Sequence, residues 1–315
     1  MANIKQVKQK SIGITRKLLN RLKSLNLKQY YFECSIILMN VMLRGSILYA
    51  ADIYYNLKET EYRQIERIEE FYMRKVLNTT KGCPIVSLYL SLGQTPARFE
   101  IQKMRLLYLK YILEQPAEST IFKILKLQIE KPTKGDWVSS CQNDLEKLNL
   151  KLTFEQIKTM KKRKYTQILK EKIREAALDY LLDKQGKKGK ENKFVYLEIA
   201  EYLLPLNNKQ TIEEKCEMFA VKTSMVNIPA NFSSKCEINC ECGLKEDMAH
   251  IYNCEIYNMK KPEIPFEKIF EGNLKEQIIV FNKFSENMKK RSQMKTTSNP
   301  IDPCDPLLYS VRDNK

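Results

Sequence analysis

"ETEYRQIERIEEFYMRKVL" fills residues 59–77, and its spacing decides the fold class. Ile65, Ile68, Tyr72 and Val76 fall on one stripe of a helix with 3.6 residues per turn, a period no strand shares. The neighbouring segments repeat that pattern. Upstream, residues 30–55 read as one or two apolar helices broken near Arg44-Gly45. Asn40 and Arg44 interrupt the greasiest run, "CSIILMNVMLRGSILYAA" (34–51), and leave it short of a membrane span. Still earlier, Leu18, Leu22 and Leu25 stand at i, i+4 and i+7 on a basic amphipathic helix. Downstream, Lys81-Gly82-Cys83-Pro84 punctuates the chain and "PIVSLYLSLG" forms a short helix stopped by Gly93. In "TPARFEIQKMRLLYLKYIL", Thr95 is expected as N-cap with Pro96 at the first helical position, and Ile101, Met104, Tyr108 and Ile112 as the core face.

A mainly α fold follows, and composition agrees: Gly (9) and Pro (11) are too few for a turn-rich β architecture. The expected division is a helical domain over 1–115 and a loop-rich connector over 116–153, marked by Pro116, Pro132, Gly135 and the lone Trp137. A basic helical region follows over 154–231, then a cysteine-bearing module with the final helix over 232–292, and an irregular tail over 293–315. Within these, helices are expected over 154–183, 194–204, 211–225 and 273–291, with "KQGKKGKENK" (184–193) as a solvated hinge.

The formal net charge of +16 favours a polyanionic partner. Residues 1–28 hold eight Lys/Arg and no acid, and contain no apolar run fit for a secretory signal. An intracellular protein, nuclear or cytoplasmic, is therefore expected, with reduced thiols. Candidate phosphate contacts are Arg16, Lys17, Arg21 and Lys23 in the first basic helix and Lys161, Lys162, Arg163 and Lys164 in "KKRK". Tyr165 is a candidate base-stacking platform beside them. A third basic run is Lys289-Lys290-Arg291. The plainer reading of each patch is a solvated lysine face that keeps a helical protein soluble. A membrane-surface role for the first helix is disfavoured, because its apolar stripe carries no aromatic anchor. Trp137, Tyr30, Tyr31, Tyr54 and Tyr55 read as core or interface residues.

The densest chemistry lies in "CEINCECGLKEDMAHIYNC" (236–254), which holds four of the nine cysteines and the only histidine. Cys240-x-Cys242, then His250-x3-Cys254, supplies the four soft or borderline ligands that zinc takes in a tetrahedron. His250 and Cys254 are i, i+4, so a helix puts both on one face. Gly243 gives the thiolate-bearing turn a permissive backbone. C-x-C is tighter than the usual C-x2-C, and Cys236 is an alternate ligand for Cys240 or Cys242. Four protein ligands leave no position for an activated water, so a single structural Zn2+ is expected rather than a catalytic one. Unligated thiols on a loop are the simpler alternative. With one histidine, no Cys–His dyad exists outside this cluster, and no Gly-rich phosphate loop is present.

Residues 46–113, from "SILYAADIYYNLKETEYRQIE" through "GQTPARFEIQKMRLLYLKYIL", resemble the segment after the palm in non-LTR (LINE-type) retrotransposon reverse transcriptases. "EMFAVKTSMVNIPANF" (217–232) followed by C-x-C…H-x3-C is similar to the C-terminal region of the same polyproteins, which ends in a CCHC zinc knuckle. "NPIDPCDPLLYSV" resembles tails in that group. Lys222-Thr223-Ser224-Met225 departs from the Arg-rich run common there. The resemblance implies a thumb-like helical bundle, a zinc knuckle, RNA or DNA held mainly through phosphates, and association with the rest of such a polyprotein. It also implies no polymerase activity by this chain alone. The "YAAD" turn (Tyr49–Asp52) has one aspartate, and only Glu33 precedes Asp52 among acids, so no two-metal carboxylate pair can be assembled. Two other classes stay open: a zinc-stapled protein-interaction scaffold, and a transposon remnant without function.

Overall fold

The structure is a computed structural model describing residues 4–24, 30–133, 135–186, 199–204, 210–226 and 239–298. Of these, the side chains of 4–12, 23, 185–186 and 295–298 are left aside. Leu25, Cys236 and Cys304, the side chain of Lys23, most of the expected 184–193 hinge, residues 194–198 and the 299–315 tail lie outside the described residues. The rest of the helix expected over 194–204 is instead a bridge at Ile199 followed by a single 3-10 turn, Glu201–Leu203. Among the described residues the chain is helical throughout, with two isolated antiparallel bridges, Leu92 with Ile199 and Asn239 with Lys245. Two compact units form. One draws on residues 1–78 and 84–205, the other on 79–83 and 206–315.

In the first unit the helices are α1 (Ile4–Ser24), α2 (Tyr31–Leu38), α3 (Gly45–Ile47), α4 (Glu59–Val76), α5 (Ile85–Ser91), α6 (Ala97–Leu113), α7 (Thr120–Glu130), α8 (Trp137–Lys147), α9 (Phe154–Thr159) and α10 (Lys162–Gly186). The stripe expected on α4 is buried: Ile65, Ile68, Tyr72 and Val76 are at most 8% exposed, each contributing roughly 1.5–3 kcal/mol of transfer free energy. The break expected near Arg44-Gly45 is absent. α2 runs into α3 through a π-helical segment, Met39–Arg44, so the extra residue is absorbed as a bulge.

α6 is the hub. Its expected stripe accounts for only part of what it buries. Ile101 and Ile112 are in the core, Met104 and Tyr108 are half-buried, and Leu106, Leu109, Leu113, Gln102, Arg105 and Lys110 are buried as well. A helix covered on several sides carries polar groups that must find partners. Arg105 donates to the Tyr54 carbonyl (2.7 Å) and to Asp144 of α8 (2.6 Å). The Lys110 ammonium donates to the carbonyls of Ile157 (2.8 Å), Lys158 (2.9 Å) and Met160, closing the C-terminus of α9 where a cation suits the helix dipole.

These contacts correct the expected division. Residues 116–153 are no loop-rich connector: they carry α7 and α8, each opened by a side-chain cap, Ser119 and Asp136. The region beginning at 154 belongs with α6 rather than apart from it, and the unit ends near residue 205. Trp137, half-buried, donates its indole N–H to the Asp52 carbonyl (2.9 Å). The start of α6 also differs. Pro96 is extended (ψ 146) and is itself the residue before the helix, and Thr95 turns its hydroxyl to Glu100 (2.7 Å) instead of capping.

The cap comes from α4. Fully buried Glu69 accepts from the Ala97 N–H (3.0 Å), the Tyr89 hydroxyl (3.0 Å) and Arg44 Nε (2.7 Å). Burial raises the Glu69 carboxyl, opposed by Arg44. The Arg44 guanidinium is drained by burial yet held net upward by Glu69 and Glu100.

The second unit holds α11 (Ile212–Lys222), α12 (Met248–Asn253), α13 (Lys268–Glu271) and α14 (Leu274–Ser298). α11 starts at a capping box in which Thr211 and Glu214 satisfy each other's backbone N–H. On α14, Val280, Phe281, Phe284, Asn287 and Arg291 face inward, while Leu274, Ile278 and Met288 are half-buried.

Candidate metal centre and cationic faces

The thiol-rich stretch folds as a tight turn followed by one short helix. Gly243 sits at φ +85°, a conformation that favours glycine, and donates its N–H to the Cys240 carbonyl (2.8 Å). Cys240 N–H in turn donates to the Leu244 carbonyl (2.8 Å), which folds Cys240 and Cys242 into one loop. Asp247 caps α12 by accepting from the His250 N–H (2.7 Å). That helix puts His250 and Cys254 one turn apart, and Cys254 ends it.

The sulfur and ring-nitrogen atoms of Cys240, Cys242, His250 and Cys254 all lie within 4.8 Å of one another. Cys240 Sγ is 3.7 Å from Cys254 Sγ, and Cys242 Sγ is 3.3 Å from His250 Nε2. A tetrahedron with metal–sulfur bonds of about 2.3 Å has edges of about 3.8 Å, shorter where nitrogen replaces sulfur. The donor set can therefore hold a metal ion, with the more widely spaced pairs drawing in by up to about 1 Å. Cys236 is not needed to complete it and lies outside the described residues. Cys240 and Cys254 are buried, whereas Cys242 is exposed and His250 half-exposed, so one edge of the centre faces solvent. Burial pushes the Cys240 thiol up, but hydrogen bonds from the Cys242 backbone, His250, Tyr257 and Cys254 outweigh it and bring its pKa to about 7. Burial pushes Cys254 up to about 11. One thiol of the buried pair is thus ready to ionise, and the other keeps its proton until a cation replaces it.

A surrounding layer fixes these ligands, and sequence reasoning missed it. Tyr257 brings its hydroxyl to 3.6 Å from Cys240 Sγ. Asn258 donates to the carbonyls of Tyr252 (2.8 Å) and Cys254 (2.9 Å). From α14, fully buried Asn287 donates to the carbonyls of Ile251 (3.0 Å) and Tyr252 (3.2 Å), and Lys290 to that of Tyr257 (3.0 Å). Arg291 grips Glu246 with two bonds of 2.6 and 2.7 Å. Part of the expected third basic patch is thereby accounted for differently. Arg291 and Lys290 are packing partners of the metal loop, and of the three only Lys289 is fully exposed. The available signal was the i, i+4 spacing of Asn287 and Arg291 on the apolar face of α14.

The other candidate residues divide by burial. Arg16, Lys17 and Arg21 are exposed on α1, opposite buried Thr15, Leu18 and Leu22. Lys161, Lys162, Arg163 and Lys164 are exposed at the start of α10. Among the described residues no ion pair involves any of these seven side chains. Tyr165 is no base platform. It is fully buried, and its hydroxyl donates to the Leu106 carbonyl (3.2 Å). No described helix is long and apolar enough to cross a membrane.

Comparison with known protein families, characterised proteins and solved structures returned no match.

Proposed function

We propose that this chain binds RNA or DNA through phosphates, with one structural Zn2+ in the Cys240–Cys242–His250–Cys254 centre. In this reading it is kin to the thumb and C-terminal region of a LINE-type reverse transcriptase polyprotein. Its partners are a nucleic acid and the remainder of such a polyprotein, and it performs no polymerisation by itself. The observation that carries the proposal is the placement of the seven exposed cations on α1 and α10. A face serving solubility alone interleaves both signs of charge. Here four cations crowd the start of α10, where the helix dipole already disfavours positive charge. An anion relieves that crowding. Zinc is favoured for the centre because three thiolates and one imidazole in a closed tetrahedral set suit a soft, redox-inert ion.

The test has two arms on purified full-length protein. Metal analysis is expected to find one zinc per chain, kept in Cys236→Ser and lost in Cys254→Ser. Gel shifts with a mixed-sequence RNA and its DNA duplex are expected to show micromolar binding that weakens steeply with salt. Absence of a shift at low salt rejects nucleic-acid binding, and absence of metal rejects the zinc centre.

One observation favours a second reading. Ile37 (58% exposed), Val41 (68%) and Met42 (47%) leave an apolar face around the π segment in water, as a protein-interaction scaffold would. A low-salt pull-down that recovers protein without nucleic acid supports it.

A further inference from the structure

Among the described cysteines only Cys242 is exposed; the others are buried or half-buried. It is also a thiol with other thiols at hand. Its Sγ lies within 4.8 Å of the Sγ atoms of Cys240 and Cys254. A sulfur that a dissolved oxidant reaches thus borders two that are shielded from it. An exposed thiol beside a second thiol is the arrangement of an attacked sulfur and a resolving one.

The backbone on the Cys242 side has room to move. Gly243 follows it at φ +85°, and a Cβ built on Gly243 would meet nothing within 4 Å. Cys254 is held instead. Its N–H donates to the His250 carbonyl (2.7 Å), and its own carbonyl accepts from Asn258 (2.9 Å). A disulfide brings two sulfurs to about 2.05 Å, so the exposed partner must travel up to about 3 Å, toward a fixed one. Cys254 is a better partner for that bond than Cys240. Cys240 shares the turn with Cys242, and a bond across a single intervening residue closes a small, strained ring.

We propose that Cys242 is a site of oxidation by peroxide, resolved as a Cys242–Cys254 disulfide that dismantles the metal centre. The inference rests on the zinc reading above and adds how the centre is unmade. With hydrogen peroxide, the Cys242 thiolate attacks one oxygen, the O–O bond breaks and hydroxide leaves, giving Cys242–SOH. The Cys254 thiolate then attacks that sulfur, the S–O bond breaks and a second hydroxide leaves. Two electrons pass from two thiolates to one peroxide, and both hydroxides are protonated to water. Cys240 and His250 remain, two ligands where a structural site needs four. The hydrogen bonds that hold Cys254 run through its backbone, so reduction restores the set.

The experiment treats full-length, zinc-loaded Cys236→Ser/Cys304→Ser protein with hydrogen peroxide. Zinc release is followed with a chromogenic chelator, and peptide mapping with fragmentation locates the disulfide. Expected are one zinc released per chain, one Cys242–Cys254 bond, and recovery of zinc binding after dithiothreitol and added zinc. Cys242→His removes the exposed thiol while keeping a fourth ligand, and is expected to slow release about tenfold or more. A Cys240–Cys254 bond with Cys242 free, a bond between chains, or sulfinic acid without a disulfide overturns the proposal. Release as fast from zinc-loaded Cys242→His protein as from its parent overturns it too. If that variant holds no zinc, the bond mapped in the parent decides. If the parent itself holds no zinc, the zinc reading falls separately. The same mapping on the metal-free protein then upholds the oxidation site if it finds the Cys242–Cys254 bond, and overturns it if it does not.

Discussion

Glu69 illustrates how one residue organises the first unit. It holds the only described cap of α6, neutralises buried Arg44 and takes the Tyr89 hydroxyl, so three donors from three segments meet on one carboxylate. Its removal strands a buried cation as well as an N–H and an O–H. Glu69→Ala is expected to cost about 3–5 kcal/mol in urea unfolding. Replacing Glu69 and Arg44 together by leucine is expected to cost less than the two single changes summed, since neither charge is then left alone. Glu100, nearby, gives a pH signature. Burial alone would raise its carboxyl, but Arg44, Lys103 and the Thr95 hydroxyl outweigh burial and hold it below 4.5. A depressed acid stabilises the folded state above its unfolded pKa and loses that contribution as pH falls through its folded one. Wild type is therefore expected to be more stable than Glu100→Gln at pH 7, with the two stabilities converging as pH falls from the ordinary carboxylate range through the lowered folded pKa of Glu100. None of this was legible in the sequence. Glu69 sits among the acids of α4 together with exposed Glu59, and only tertiary contact separates them. The clustering of the four candidate ligands was legible, because soft ligands at turn-and-helix spacing are rare by chance and their geometry is local.

At the scale of elements, the readable ones were those with a single buried face. α4 shows its stripe because its other side meets water or ion pairs. α6 hides its role because it is covered on several sides, and a helix buried nearly all round has no period to read. α7 and α8 were passed over because Pro116, Pro132 and Gly135 bracket them, and each is a short helix set by its cap rather than by a long apolar pattern. α14 was expected over 273–291 and found over Leu274–Ser298, yet its task was invisible: it docks the metal loop through polar side chains. Asn287 is the centre of that docking, with two donor bonds to the end of α12. Asn287→Leu keeps the branching at Cγ and removes the bonds, leaving the carbonyls of Ile251 and Tyr252 without this donor. A loss of about 2–3 kcal/mol is expected, with weaker metal retention under dilute chelator, read by unfolding and metal release. Lys289→Ala, one turn-face away and exposed, is expected to change neither.

At the scale of the whole molecule, two units of different construction share one chain. The first is held by a broad apolar core around α4 and α6 together with buried ion pairs such as Arg105–Asp144. The second has its own smaller core, in which Ile251, Tyr252, Phe266, Ile269, Phe281 and Phe284 pack together, but two of its cysteines are buried where only a bound cation would compensate their charge. A metal ion held by this centre would stabilise the second unit, where all four candidate ligands lie. A filled tetrahedral ligand set contributes several kcal/mol to folding, a large share of the stability of a small unit, and among the described residues of the first unit there is no comparable ligand cluster. Two calorimetric transitions are expected in the metal-loaded protein. Chelator is expected to lower one of them by roughly 20 °C, because each kcal/mol lost moves the midpoint of a unit this small by about 4–8 °C. The other is expected to stay fixed. Cys254→Ser should reproduce the chelated profile and respond to chelator no further. A single transition that falls as a whole would mean that the two units unfold together, and an unmoved profile would mean that the thiols and His250 hold no ion.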